Sequence, residues 1–156
     1  MPRRAIAAGG TTPLSAAIVR DGTIFVSGQV GRDPATGVVG EGIRDQTRMV
    51  INNMRSVLKQ CGADLKDVDK CTVFITRQED FAAMNEVYAS MFAEPRPARS
   101  TIVVAALARN DFIVEIEGIA RQPGAGAAKA KTASKRAPRR KGTARRPARP
   151  RTARRR

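Results

Sequence analysis

Apolar residues follow two rhythms through the first 121 positions of this chain, and both stop after that point. Between residues 43 and 61, Val50, Ile51, Met54, Val57, Leu58 and Cys61 recur at three- and four-residue spacing. That spacing lines one side of a helix, so the segment predicts an amphipathic helix. Gly62 stands where a left-handed C-terminal cap belongs. A second helix is expected over residues 81–92, with Asp80 as its cap. Phe81, Met84, Val87, Tyr88 and Met91 should form its inner side, and Pro95 and Pro97 should end it. Residues 14–19 and 23–27 are short β-type runs split by Arg20, Asp21 and Gly22; Asp-Gly at such a junction signals a hairpin. Residues 31–37 are rich in turn formers and read as a loop. Residues 68–76, 100–104 and 112–120 read as three more strands, the last two joined by a loop at 108–111. The order ββαβαββ predicts an α+β fold with the helices on one face of a mixed sheet.

Charge divides the chain at the same place. It carries 29 Lys and Arg against 14 Asp and Glu. Residues 122–156 hold 14 of the basic residues and no acidic one, which leaves 15 against 14 in residues 1–121. The chain therefore reads as a nearly neutral domain, 1–121, followed by a polycation, 122–156. The domain is long enough to bury a core. Residues 122–128 resemble a Pro/Gly/Ala linker, and the sequence from Lys129 onward lacks aromatic and large aliphatic side chains. Such a segment cannot offset its chain entropy by burial, so it is expected to be disordered. It is expected either to bind nucleic acid, polyphosphate or another acidic surface non-specifically, through residues 129–156 and counterion release, or to be a solvated tail with no dedicated partner. Without aromatics to stack on bases, sequence preference should be slight.

Other absences narrow the chemistry. The chain has no histidine, which excludes His-based triads and His-containing metal sites. Two cysteines, Cys61 and Cys71, do not make a disulfide framework, and a reduced cytoplasmic setting is the simpler expectation. The longest apolar run, residues 102–108, falls well short of the roughly 18–20 residues of a membrane span. The first residues are charged but lack an apolar stretch of leader length, so no secretory signal is expected.

Three features carry candidate chemistry. Gly28 ends a strand, which suits either a bulge or the close backbone approach of a ligand. Arg99 stands directly before an apolar run, either as a solvated strand end or as a fork aimed at an anion such as a carboxylate. Glu115 and Glu117 alternate onto one face of a strand. They are either its solvent side, or one of them is an acid/base or water-positioning group.

Taken together, Ser27-Gly28-Gln29, Phe81-Ala82-Ala83-Met84-Asn85-Glu86-Val87-Tyr88, Pro97-Ala98-Arg99-Ser100-Thr101 and Val114-Glu115-Ile116-Glu117-Gly118-Ile119-Ala120 resemble, in that order, the Rid/YjgF family of enamine/imine deaminases. The resemblance covers nearly all of residues 10–121. It implies a chorismate-mutase-like fold, a homotrimer, and pockets between neighbouring subunits. It implies hydrolysis of 2-imino acids such as those formed from 2-aminoacrylate, giving 2-keto acids and ammonia. By the same resemblance Arg99 holds the substrate carboxylate, Glu115 positions or activates the attacking water, and Gly28 and Asn85 border the site. An imine carbon is already electrophilic, so orientation and proton handling suffice, and no metal or cofactor is called for. Two positions depart from the family. Leu14 follows Pro13 where a Tyr is frequent, and Thr101 stands where many members have Cys. Both are expected to touch substrate and to alter preference or rate. The alternative reading is a nucleic-acid-binding protein that uses an inactive or weakly active trimer as its oligomerisation core.

Overall fold

The computed structural model describes residues 2–10 and 12–124. The basic tail, from residue 125 onward, lies outside the described residues. The elements are β1 (Arg4–Ala7), β2 (Ser15–Arg20), β3 (Thr23–Val30), α1 (Gly42–Gln60), β4 (Val68–Ile75), α2 (Phe81–Met91), β5 (Ala98–Val103) and β6 (Val114–Arg121). They form one six-stranded sheet in the order β1-β2-β3-β6-β4-β5. Only β4 and β5 pair in parallel, so the sheet is mixed, and α2 provides the crossover that a parallel pair requires.

Local chemistry accounts for most of these elements. Asp21 and Gly22 both have positive φ, 51° and 77°, the primed turn whose twist matches that of the β2–β3 hairpin. At the end of α1, Gly62 adopts φ 77°, its N–H donates to the Lys59 carbonyl at 3.0 Å, and the Ala63 N–H donates to the Leu58 carbonyl at 2.9 Å. This Schellman arrangement satisfies carbonyls that the helix end would otherwise leave open. The apolar stripe of α1 supplies Val50, Ile51, Met54 and Leu58 to the core, against Ile24, Val73, Val114 and Ile116 from the sheet; all eight are fully buried.

Three expectations need correction. The strand β1 was not foreseen. Only Ile6 of its four residues is buried, so there was no alternation to read. Asp80 does not cap α2. A 3-10 turn, Gln78–Asp80, precedes the helix and gives Asp80 helical dihedrals, whereas a capping residue needs extended ones. Its carboxylate instead accepts from Arg77 Nε at 2.9 Å and Nη2 at 3.2 Å. Phe81, expected inside, is exposed because it opens α2 beyond the margin of the core.

The sheet's two faces differ sharply. Cys71, Val73 and Ile75 of β4 and Val114, Ile116 and Ala120 of β6 are buried beneath the helices. The opposite face carries Phe25, Ile102 and Ile119, each more than a third exposed, with no element over it among the described residues.

Candidate active site

Arg99 is held by three side chains of α2. Its Nη2 donates to Asn85 Oδ1 at 2.7 Å. Its guanidinium carbon lies 4.6 Å from the centre of the Tyr88 ring and 5.9 Å from that of Phe81. Residues 81, 85 and 88 are spaced so that they share one stripe of a helix. All three partners are uncharged, and among the described residues no carboxylate pairs with Arg99. Most of the five guanidinium donors have no partner among the described residues, and an oriented fork of this kind can take a carboxylate or another anion. Arg99, Asn85, Tyr88, Ala89, Arg96 and Pro97 line an open hollow beside it. Thr101 follows two residues later on β5 and, by strand alternation, shares its face with Arg99.

Glu115 occupies a different neighbourhood. It is half-buried on β6, opposite Val30 of β3 and Phe74 of β4. The β3–β6 register shifts between Val26 and Gln29, and Gly28 lies in that irregularity. A Cβ placed on Gly28 would come within 1.9 Å of Glu115 Oε1. The glycine therefore leaves room for the Glu115 carboxylate, and any side chain there would displace it. Gly28 also borders a cavity of about 350 Å³ whose wall includes Leu14, Ala16, Val57 and Asn53. Leu14 is 54% exposed there.

The environment of Glu115 favours its protonated form. Burial, and then the negative charge of Glu117, push its pKa above the usual carboxylate value. Glu117 is exposed on the same face, opposite Thr72. It borders a separate hollow with Phe25, Lys70 and Ile119.

Strand register decides which of these groups can meet. Arg99 pairs with Cys71, while Glu115 pairs with Phe74. Paired residues share a face, and Cys71 and Phe74, three apart on one regular strand, point to opposite faces. Arg99 thus lies on the helix side of the sheet and Glu115 on the uncovered side. The chain brings Arg99, Asn85 and Thr101 together, and Glu115 with Gly28, with Leu14 sharing the cavity that Gly28 borders. It does not bring the first group to the second. Tyr88 and Arg96 were not singled out from the sequence as site residues. The available signal was Tyr88 three residues after Asn85, which puts the two on one helix stripe, but nothing local showed that Arg99 would lie on that stripe.

The Endoribonuclease L-PSP family profile matches residues 4–122 of this chain. A RutC family protein of Pyrococcus horikoshii is 45% identical over 109 residues, which are 69% of this chain and 86% of that protein. The 2-iminobutanoate/2-iminopropanoate deaminase of Homo sapiens is 40% identical over 117 residues, 74% of this chain and 85% of that one. The crystal structure of E. coli TdcF with bound serine superposes with a TM-score of 0.69 at 36% identity, covering 72% of this chain and 91% of TdcF. With the family profile matched over residues 4–122, and with these relatives and this fold beside it, the chain belongs to the Rid/YjgF family.

Proposed function

We propose that this chain hydrolyses reactive 2-imino acids, and the enamines that tautomerise to them, to 2-keto acids and ammonia. The observation that carries the reading is the Arg99 guanidinium, oriented by Asn85 and two aromatic rings with no carboxylate paired to it among the described residues. Its fork suits a substrate carboxylate, which fixes the position of C2. Water then attacks C2 as Glu115 takes one of its protons and the imine nitrogen gains one from solvent, giving a neutral carbinolamine. Glu115 returns its proton to the nitrogen, the C–N bond breaks, and ammonia leaves as the hydroxyl gives up its proton to solvent and the C2 carbonyl forms. Glu115, set against Gly28 and held above its ordinary pKa, is suited to accept that proton and return it. Leu14 and Thr101 are assigned to substrate contact, Leu14 toward the side chain and Thr101 beside the clamp. The relatives named for 2-imino acid deamination, and TdcF with its bound amino acid, support the same chemistry.

The active unit in this reading is a homotrimer of the chorismate-mutase-like kind, with each pocket shared between two subunits. Arg99 and Glu115 of one chain lie on opposite faces, so they can serve one substrate only if different copies supply them. The uncovered apolar face with Phe25, Ile102 and Ile119 offers a surface for such association. Ammonia release from a short 2-imino acid generated in the assay should exceed the uncatalysed rate, and the absence of any acceleration would leave the binding-core alternative. Co-expressing Arg99→Ala with Glu115→Gln should restore activity to about a quarter of wild type, since random mixing leaves that share of pockets with both groups intact. No recovery above the single variants would mean that one chain supplies both groups.

The polycation supports a second role, independent of catalysis. Fourteen Lys and Arg with no acidic residue in 122–156 suit a tether to nucleic acid or polyphosphate in the cytoplasm. Deleting residues 122–156 should leave the deaminase rate within about twofold. It should also abolish a duplex affinity that, in the intact protein, falls steeply and log-linearly with salt. Filter binding across a salt series checks this, and unchanged affinity after deletion would move the binding surface to the domain.

A further inference from the structure

Resting on the reading of Arg99 as the carboxylate clamp, we infer that Tyr88 is its positioning residue, the fixed surface on which the guanidinium is oriented. Arg99 comes from β5, an edge strand, where a long charged side chain would ordinarily sample many rotamers in water. Here it is confined by one stripe of α2, and Tyr88 is the nearer of the two rings. Phe81 is 43% exposed, whereas Tyr88 is 2% exposed. The Tyr88 ring stacks on Phe92 with centroids 4.4 Å apart and planes inclined by 30°. Burial and this second ring hold it in place, so it is not free to follow the guanidinium if the latter moves. Asn85 completes the arrangement by accepting one N–H, which sets the rotation of the fork on that surface.

The Tyr88 hydroxyl shows which part of the residue matters. It is buried with no hydrogen-bond partner of normal geometry among the described residues. The Cys71 thiol is close enough to act on it, but the contact does not meet hydrogen-bond geometry. A phenol kept for its oxygen would have a partner. The ring face, which contacts Arg99, is the part in use. Neutral partners also leave the cation whole: a carboxylate at position 85 or 88 would orient Arg99 equally well but would compete with the substrate for it.

The test is a kinetic series on the full chain with a short 2-imino acid, with the matching 2-keto acid as inhibitor. Tyr88→Phe should keep KM and kcat within about twofold, since the ring remains. Tyr88→Leu should raise KM and the inhibition constant together by about tenfold, with a smaller change in kcat. In an Arg99→Ala background, Tyr88→Leu should have no further effect on the residual rate, because the group it positions is gone. Should Tyr88→Leu fail to fold, Tyr88→Met fills the space without a ring and should give the same KM shift. Three results would overturn the inference. Tyr88→Leu with normal KM beside a collapsed Arg99→Ala would remove Tyr88 while sparing the clamp. Equal losses in both backgrounds would make Tyr88 merely structural. A near-normal Arg99→Ala would remove the clamp itself, and this inference with it.

Discussion

Arg99→Ala should lower kcat/KM for a short 2-imino acid by about a hundredfold or more, with the fold intact. Hydrogen bonds to charged groups contribute about 1.5–3 kcal/mol each, and a fork on a carboxylate makes two. The loss of such a pair corresponds to a factor of roughly 10² to 10⁴. Arg99 is half-buried near the sheet edge, and of the three side chains its guanidinium contacts only Tyr88 belongs to the core cluster. Unfolding temperature and oligomeric state should therefore change little. Arg99→Lys should recover only a small part of the rate, because an ammonium is a point charge that cannot present two parallel donors or lie flat on Tyr88. Steady-state kinetics of the two variants, with circular dichroism as the control for folding, decide the matter. Near-normal turnover by Arg99→Ala would end the clamp assignment.

Glu115→Gln should lower kcat by about a hundredfold while leaving inhibition by a 2-keto acid nearly unchanged. The amide can still hold a water but cannot take its proton. Glu117→Gln is the comparison, and a larger loss there would transfer the role to Glu117. The pH profile separates the two carboxylates further. The base role proposed for Glu115 requires its ionised form, so activity should fall as pH drops through its folded pKa. That pKa is raised, so the acid limb should lie above the ordinary carboxylate range. Glu117→Gln removes the second cause of the shift and should move the limb to lower pH, while burial, the first cause, still holds it above the ordinary value. An acid limb that does not move in Glu117→Gln would mean that another group controls it.

Much of the fold could be read locally. The helix period from Val50 to Cys61, the Asp21-Gly22 turn and the Gly62 cap each depend on residues within a few positions of one another, and each occurs as expected. β1 could not be read, because one buried residue in four has no period. Asp80 looked like a cap because the residue type was right, but the 3-10 turn before it gave its backbone the wrong dihedrals. Among the candidate site residues, the motif positions were visible, and their spatial grouping was not. Tyr88 reads in the sequence as one more inward-facing helix residue. Its contact with Arg99 arises from docking α2 beside an edge strand that begins ten residues later.

The sequence by itself determined the α+β class, the division of charge between a nearly neutral 1–121 and a basic 122–156, and the exclusion of histidine chemistry. These follow from composition and from periodicities that act over one or two turns of chain, where the physics is short-range. Only the tertiary structure decided that Arg99 and Glu115 lie on opposite faces. That outcome rests on the register of β4 against both β5 and β6, segments separated by up to some forty residues. A shift of one residue in either pairing would have put the guanidinium and the carboxylate on the same side. Register is selected by which side chains the packed helices can bury, a property of the assembled sheet that no single segment carries.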